Sequence, residues 1–286
     1  MNKEPHVKAV MITGASTGIG AACALHLDGR GVKVFAGVRN ASDGAALKQN
    51  ASDRLTPVLI DVTLPDAIAA ARRVVADAID PGGLAGVVNS AGIFLGGPLE
   101  FASLDDLREE FEVNLFGTIA VTQAFLPALR KGRGRVVNIG SYSGQIALPF
   151  LGPYAASKHA LEAISDSWRV ELRRWGIWVA VIEPGVVDTP LREKVIEKLR
   201  KIREAYPPEA HELYGQVFGM TEEQPQRGMP ALRVAETVEH ALFASRPKRR
   251  YVVGADAILL SIFRKLPAGL RDWYIGKHIE TRHRPA

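Results

Sequence analysis

The sequence predicts an α/β fold, a doubly wound parallel sheet of about seven strands with helices on both faces. Three observations support this prediction. Short apolar runs are nearly continuous, which indicates strands that are buried on both faces. Helical patterns alternate with these runs, as in repeated β-α units. A glycine-rich segment joins the first run to the first helical pattern, where such folds bind phosphate groups.

Seven apolar runs rich in β-branched residues are predicted as strands, at residues 7–12, 33–36, 57–60, 86–89, 135–139, 178–182 and 251–253. Helical patterns occupy the intervals, at residues 19–28, 41–49, 65–78, 104–129 and 153–175. Right-handed connections are expected between the parallel strands. Because ligands in such sheets bind beyond the carboxyl ends of the strands, we expect the functional site there.

The alternation of strands and helices stops after Pro184. Residues 186–230 are rich in charge, proline and glycine, and this long excursion predicts a substrate lid without strands and with one amphipathic stretch. A helix is expected at residues 234–244, and residues 255–286 form a helical tail. The tail mixes apolar and basic residues and should pack over the substrate end of a single domain, residues 1–286. Contact with a membrane surface is the alternative.

Composition narrows the class of protein. Of the 286 residues, 47% are hydrophobic and 23% charged, as in soluble globular domains. Cys23 is the single cysteine, which excludes an intrachain disulfide and suits a reducing compartment. Residues 1–6 contain no signal-peptide core, and no apolar run has the length of a membrane-spanning helix. We therefore expect a cytoplasmic protein.

The net charge of +5 raises the question of an anionic partner. The basic residues are dispersed, without an aromatic-interleaved patch, so no nucleic-acid partner is expected. Histidine, cysteine and carboxylate residues show no metal-ligand spacing, so no metal is predicted. The positive charge fits an anionic cofactor better.

The glycine-rich segment reads Thr13-Gly14-Ala15-Ser16-Thr17-Gly18-Ile19-Gly20. Its glycines permit a tight turn and let a pyrophosphate approach the backbone at a helix N-terminus. The spacing G-x-x-x-G-x-G differs from the common G-x-G-x-x-G fingerprint, and a plain glycine-rich turn is the alternative. The strand-loop-helix context favours a dinucleotide site. Its predicted residues are Gly14, Ser16, Thr17, Gly18, Ile19 and Gly20.

The end of the second predicted strand indicates which dinucleotide is bound. NAD-selective sites place a carboxylate near this point against the ribose, but this chain has Ala36-Gly37-Val38-Arg39-Asn40. The Arg39 guanidinium can pair with a 2′-phosphate in a bidentate way, and Ser16 or Thr17 adds a hydroxyl. We therefore predict NADP(H) in preference to NAD(H). A solvated arginine is the alternative.

Tyr154 and Lys158 are the candidate catalytic pair. Their spacing of four residues puts both side chains on one face of a helix. A nearby ammonium lowers the pKa of a phenol from about 10, which makes the phenol a usable proton donor and acceptor. Ser141, just after the fifth predicted strand, would hold a carbonyl or alcohol oxygen against the phenol. By itself the spacing also fits a surface pair on an ordinary helix.

Together these motifs resemble those of the single-domain short-chain dehydrogenase/reductase family, over roughly residues 7–190. Asn114 is similar to the family's helix asparagine, and Ser141, Tyr154 and Lys158 match its catalytic residues. In the segment Asn89-Ser90-Ala91-Gly92, Ser90 departs from the family's second asparagine. Beyond the glycine loop and Arg39, the resemblance implies cofactor contacts at Asp61, Val62, Asn89, Ala91, Gly92, Tyr154, Lys158, Pro184, Gly185, Val187 and Thr189.

The resemblance implies a Rossmann-type fold and hydride transfer between NADP(H) and an alcohol/carbonyl pair. Tyr154 would act as general acid and base, Ser141 would steady the substrate oxygen, and Lys158 would bind the nicotinamide ribose. Asn114 would hold a relay water through its backbone. A non-catalytic NADP(H)-binding regulator is the alternative. Relatives dimerise through the helices that bear Asn114 and Tyr154, which implies a homodimer or homotetramer.

The segments at residues 34–39 and 148–154 resemble the retinol and hydroxysteroid dehydrogenase branch of the family. This branch implies a bulky apolar alcohol, ketone or aldehyde as substrate, such as a steroid, retinoid or lipid. The predicted substrate site is correspondingly apolar. It comprises Ile93, Phe94, Leu95, Ser141, Tyr142, Leu148, Phe150, Tyr154 and Val186, with part of the excursion.

Overall fold

The computed structural model describes residues 8–79, 81–189, 191–218 and 228–282. Seven strands form one parallel sheet in the order β3-β2-β1-β4-β5-β6-β9, and β7 pairs with β8 separately. The strands are β1 (Ala9–Ile12), β2 (Lys33–Val38), β3 (Leu55–Leu59), β4 (Gly86–Asn89), β5 (Arg135–Ile139), β6 (Trp178–Pro184), β7 (Val187–Asp188), β8 (Met229–Pro230) and β9 (Arg250–Val253). The predicted sheet is confirmed, although residue 7 of the first predicted strand lies outside the described residues.

Helices connect the strands and cover both faces of the sheet. They are α1 (Gly18–Gly29), α2 (Ala41–Lys48), α3 (Pro65–Ala78), α4 (Leu104–Phe111), α5 (Thr118–Gly132), α6 (Gly152–Glu171), α7 (Leu191–Glu204), α8 (Pro208–Phe218), α9 (Ala231–Phe243), α10 (Ala255–Phe263) and α11 (Ala268–Arg282). The strand order reverses direction between β1 and β4, the place where a doubly wound sheet opens a crevice.

The sheet separates two hydrophobic cores. On one face α1 and α9 pack together, with Leu27 and Val238 fully buried. On the other face α3 and α5 bury Val75 and Phe125 beside Trp168 of α6. Burial of one such side chain contributes about 1.5–3 kcal/mol, so the two cores hold the strand ends in fixed positions.

The single helix predicted over residues 104–129 is interrupted. A π-helical turn, Glu112–Gly117, separates α4 from α5. Asn114 lies in this turn, and its side chain is hydrogen-bonded to the backbone of Ile93. The helical span is confirmed, but the π-helical turn within it was not predicted, because it accompanies a tertiary contact that the helical pattern does not show.

The excursion after Pro184 is more regular than predicted. Strands β7 and β8 pair in parallel at its two ends, which corrects the expectation of a segment without strands. Two-residue strands carry no periodic signal in a sequence. Helices α7 and α8 lie between them, and the Tyr214 hydroxyl of α8 donates a hydrogen bond to Glu100 at 2.8 Å. Residues 190 and 219–227 of the excursion lie outside the described residues.

The tail forms α10 and α11, and its last four residues, 283–286, lie outside the described residues. Ala257 is buried, and the Asp256 carboxylate accepts a hydrogen bond from the Val186 backbone N–H at 2.7 Å. Seven large apolar side chains of the tail are exposed: Ile258, Leu259, Ile262, Leu266, Leu270, Trp273 and Tyr274. Within the described residues, no helix has the length and hydropathy to cross a bilayer.

Removal of a core side chain should measure the contribution of this packing. Leu129 is 0% exposed in the core between α5 and the sheet, whereas Leu259 is 66% exposed in the tail. We expect Leu129→Ala to lower the free energy of unfolding by about 2–5 kcal/mol, because it leaves a cavity. The matched change Leu259→Ala should cost less than about 0.5 kcal/mol. Denaturant unfolding of both variants checks this, and equal losses would contradict the assigned core.

Candidate active site

The carboxyl ends of the sheet strands border a cavity of about 510 Å³. Most of the predicted site residues line it. They are Gly14, Ser16, Thr17, Gly18, Ile19, Gly20, Arg39, Asp61, Val62, Ala91, Gly92, Ile93, Phe94, Ser141, Tyr154, Lys158, Pro184, Gly185, Val187 and Thr189. The sheet therefore brings together residues that are up to 175 positions apart, from Gly14 to Thr189.

The glycine loop is shaped by close backbone packing. Gly14 and Gly18 have positive φ angles of 65° and 60°, which other residues rarely adopt. A Cβ atom at Gly14 would lie 2.7 Å from the Ala91 Cα, and one at Gly20 would lie 2.2 Å from the Gly14 carbonyl oxygen. Thr13 Oγ1 accepts hydrogen bonds from the backbone N–H groups of Ser90 and Ala91. The loop thus presents the N-terminus of α1 to the cavity, where anions are favoured.

Arg39 follows β2 directly and is exposed at the cavity. Its guanidinium makes no hydrogen bond to another residue of the described ranges. The neighbouring carboxylate, Asp61, accepts hydrogen bonds from the Thr63 N–H at 2.9 Å and hydroxyl at 2.7 Å. Burial acts to raise the pKa of Asp61, but these bonds and the charge of Arg39 outweigh it and lower the pKa. Arg39 therefore retains donors for an anion.

Ser141, Tyr154 and Lys158 converge at the carboxyl end of β5. Tyr154 and Lys158 lie one turn apart on α6, and the Lys158 Nζ atom is 5.7 Å from the centre of the Tyr154 ring. The ammonium donates a hydrogen bond to the Ile139 carbonyl oxygen at 2.9 Å. Ser141 Oγ accepts a hydrogen bond from the Ser143 N–H, which orients the hydroxyl beside the phenol. The two side chains share one helix face, with the phenol and the serine hydroxyl open to the cavity.

The electrostatics of Tyr154 differ from the prediction. Burial raises the pKa of Tyr154 to about 12, the Ser141 hydroxyl acts in the opposite direction, and Tyr142 and Glu110 raise the pKa further. The expected lowering of this pKa by Lys158 is therefore wrong for the polypeptide alone. The physical reason is that desolvation penalises the phenolate more than the neighbouring groups of the chain stabilise it.

Lys158 is shifted in the opposite direction. Burial lowers the pKa of Lys158 to about 8, while the carboxylates of Glu110 and Glu162 act to raise it. Desolvation disfavours the charged form of each group, so it pushes the lysine and the tyrosine toward neutrality.

Asn114 lies behind the cavity wall. It is 0% exposed, and its Oδ1 atom accepts a hydrogen bond from the Ile93 N–H at 2.8 Å. Its Nδ2 group donates to the Ile93 carbonyl oxygen and to Ser157 Oγ. The backbone carbonyl oxygen accepts a hydrogen bond from the Thr118 hydroxyl. Its side chain therefore ties the segment after β4 to α6.

Asn89 does not line the cavity, and its cofactor contact stays a prediction. Its Nδ2 group donates hydrogen bonds to Thr122 Oγ1 at 2.9 Å and to Asn138 Oδ1 at 2.8 Å. Side chains alternate between the two faces of a strand, and Asn89 points to the face covered by α5. Its polar contacts join β4 to α5 and β5.

The predicted substrate residues divide into two groups. Ile93 and Phe94 line the cavity, and the Phe94 ring lies 4.9 Å from the Tyr154 ring. Leu95, Tyr142, Leu148, Phe150 and Val186 do not line this cavity, and their part in a substrate site stays a prediction.

The residues outside the cavity have other partners. Phe150 packs against Tyr214 with ring centres 6.2 Å apart, so it contacts α8. Leu95 is buried, and its N–H donates to Glu110. An apolar side chain in the sequence does not reveal whether it faces a cavity or packs against a helix.

Several lining residues were missed by the sequence analysis. They are Gly37, Val38, Ile60, Thr63, Ser90, Glu109, Val113, Ile139 and Gly140. Glu110 is a further omission, because it is buried and acts electrostatically on Lys158 and Tyr154. The available signal was its position four residues before Asn114, on the same helix face.

Comparisons with known proteins agree with this geometry. A family model described as short chain dehydrogenase matches residues 8–200. The chain is 38% identical to rat 17-beta-hydroxysteroid dehydrogenase type 6, covering 98% of this chain and 90% of that protein. It is 40% identical to human retinol dehydrogenase 16, covering 88% of this chain and 82% of that protein.

Solved structures show the same architecture. A short-chain dehydrogenase from Streptomyces avermitilis superposes with a TM-score of 0.77 at 26% identity, covering 96% of this chain and 98% of that one. One from Burkholderia cenocepacia, in complex with NADP, gives a TM-score of 0.72 at 26% identity over 94% and 98% of the two chains. The predicted resemblance is thus confirmed, and this chain belongs to the short-chain dehydrogenase/reductase family, in its retinol and hydroxysteroid dehydrogenase-like branch.

Proposed function

We propose that this protein transfers a hydride between NADP(H) and an alcohol/carbonyl pair on a bulky apolar substrate, with Tyr154 as general acid and base. The observation that carries the proposal is the convergence of Ser141, Tyr154 and Lys158 on the cavity that the glycine loop also borders. A binding site without chemistry would not need a buried lysine beside the half-buried phenol of Tyr154, since removing such polar groups from water is costly.

The residues present fit a dinucleotide. The tight glycine loop and the N-terminus of α1 would hold the pyrophosphate, and Pro184, Gly185 and Thr189 line the same cavity, with Thr189 next to Gly18. A bound nicotinamide would supply or accept the hydride. Arg39 would pair with a 2′-phosphate through its free donors.

The proton chemistry belongs to the chain's own residues. The Tyr154 hydroxyl gives its proton to a carbonyl oxygen during reduction and takes it back from an alcohol during oxidation. The Ser141 hydroxyl donates a hydrogen bond to the same oxygen and stabilises its developing negative charge. Lys158 compensates the phenolate that forms at Tyr154, because its Nζ atom is fixed beside the ring by the Ile139 carbonyl.

The proposed substrate is steroid-like, retinoid-like or lipid-like. Ile93 and Phe94 give the cavity an apolar wall next to Tyr154. Two relatives carry names that refer to hydroxysteroids and retinol, and they are 38% and 40% identical to this chain. Apolar walls with a few polar groups are typical of sites for such ligands.

The proposed assembly is a homodimer or homotetramer through the helices that bear Asn114 and Tyr154. Support comes from Phe116 and Val170, which are large apolar residues exposed beside or on these helices. We propose the cytoplasm as location, consistent with one buried, free cysteine at position 23.

Peripheral contact with a membrane is the second candidate. The exposed apolar side chains of α10 and α11 are accompanied by Arg264, Lys265, Arg271 and Lys277. This combination of apolar and basic residues suits the interface of an anionic bilayer. An enzyme docked in this way would take an apolar substrate from the lipid phase.

Loss of the phenol should abolish turnover selectively. We expect Tyr154→Phe to lower kcat about 10²- to 10⁴-fold, because no other group of the site supplies the proton. Cofactor affinity, measured by fluorescence titration, should stay close to that of the wild type. Tyr274→Phe in the exposed tail is the matched control. Near-wild-type turnover of Tyr154→Phe would contradict the proposed role of the phenol, whereas absence of turnover by the wild type on a panel of ketones and aldehydes would favour the regulator alternative.

Removal of the Arg39 guanidinium should reveal whether the site prefers NADPH to NADH. For Arg39→Ala we expect kcat/KM with NADPH to fall about 10- to 100-fold, the value of a charged hydrogen bond, with little change for NADH. Arg73→Ala, an exposed arginine on α3, is the control. Equal kcat/KM values for NADPH and NADH in the wild type would rule out the proposed preference.

Membrane contact is testable by co-sedimentation with vesicles. Phosphatidylcholine vesicles that contain phosphatidylglycerol should bind the wild type, and added salt should weaken this binding. The double variant Leu259→Asp/Ile262→Asp should stay in the supernatant. Val74→Asp, at an exposed position on α3, should bind like the wild type. If the double variant binds equally well, the tail is not the contact.

A further inference from the structure

Glu110 is a buried carboxylate to which the proposed reaction gives no role. It lies on α4 and is 0% exposed. One carboxylate oxygen, Oε1, accepts a hydrogen bond from the Leu95 N–H at 3.0 Å. The other, Oε2, is buried and has no hydrogen-bond partner within the described residues. A buried charge with one unsatisfied oxygen is costly, so its presence requires an explanation.

The carboxylate helps to place the cavity wall. Glu110 and Asn114 are four residues apart and bond to alternate residues of one segment, Leu95 and Ile93. Phe94, between these two anchors, lies against the Tyr154 ring. The two side chains thus hold the wall that carries Phe94 from behind.

Charge is the second contribution of Glu110. Its carboxylate acts on Lys158 and Tyr154 of α6, favouring the ammonium of the first and disfavouring the phenolate of the second. The other charged groups that act on Glu110 are Glu109 on the same helix and Lys198 on α7. Lys198 is paired with Glu109 at 3.0 Å, so these two charges largely offset each other. The net electrostatic effect of the Glu110 carboxylate is therefore on Tyr154 and Lys158.

We propose that Glu110 is a positioning residue that holds the segment carrying Phe94 and whose negative charge sets the proton balance of the Tyr154–Lys158 pair. This inference rests on the proposed function. An apolar residue would fill the same space at lower cost, which indicates that the charge itself is used. Burial raises the pKa of Glu110 to about 7, so the charge develops near neutral pH.

The test replaces the charge and keeps the shape. Glu110→Gln retains an oxygen for the Leu95 N–H, and Glu112→Gln removes a charge from an exposed position two residues away as the matched control. Without the anion, the Tyr154–Lys158 pair should release its first proton at lower pH. We expect the alkaline rise of kcat/KM for alcohol oxidation to move down by about half to one pH unit in Glu110→Gln and to stay in place in Glu112→Gln.

A second variant separates the two contributions. Glu110→Leu loses both the charge and the acceptor for the Leu95 N–H. It should show the same displacement of the pH profile and also a higher KM for the apolar substrate, which Glu110→Gln should not show. Superimposable pH profiles of the wild type and Glu110→Gln would overturn the proposal. An equal KM in Glu110→Leu and Glu110→Gln would overturn the positioning part.

A stability measurement gives a readout that does not depend on activity. In the folded protein the pKa of Glu110 is about 7, above its ordinary value of 4.5. The stabilisation contributed by this group is therefore complete below pH 4.5 and is lost as the pH rises through about 7. The Tm of Glu110→Gln minus the Tm of the wild type should therefore increase by a few degrees as the pH is raised from 5 to 8. A constant difference would show that no buried charge develops and would overturn the proposal.

The two proposals fail in different ways. If Tyr154→Phe retains activity, the proposed chemistry is wrong whatever Glu110 does. If activity depends on Tyr154 and the profile of Glu110→Gln is unshifted, only the role of Glu110 is wrong. Circular dichroism of each variant establishes that the fold is intact before these comparisons are made.

Discussion

The hydrogen bonds between the Asn114 side chain and the Ile93 backbone are the contact on which the site depends. They hold the segment after β4, they accompany the π-helical turn between α4 and α5, and they reach α6 through Ser157. The wall of the cavity and α6 are thereby linked through one buried amide. Hydrogen bonds of this kind are strong determinants of geometry, because any loss would leave buried polar groups unsatisfied.

Burial is the dominant electrostatic influence in this site. It raises the pKa of Tyr154 and lowers that of Lys158, so each group is pushed toward its neutral form. The Glu110 carboxylate counteracts the effect of burial on the Lys158 pKa, because it favours the ammonium. It adds to the effect of burial on the Tyr154 pKa, because it disfavours the phenolate. The proton transfer proposed for this site would thus depend on a balance among several groups.

Much of the fold and of the site could be predicted from local patterns. The apolar runs identified all seven sheet strands, because strands between two helix layers are apolar on both faces. The glycine loop, Arg39 and the Tyr154–Lys158 spacing were recognisable, since their chemistry depends on nearby residues. Asn89 and Phe150 do not line the cavity, because the sequence context of a residue does not show which face of an element meets it.

The sequence by itself determined the order of strands and helices, the tight loop after β1 and the identity of the reactive groups. These features depend on short-range backbone sterics and on side-chain chemistry. Only the tertiary structure decided the π-helical turn at Asn114, the burial of Glu110 and the direction of the Tyr154 pKa shift. Those properties arise from contacts between distant segments and from the exclusion of water, which no local pattern of residues specifies.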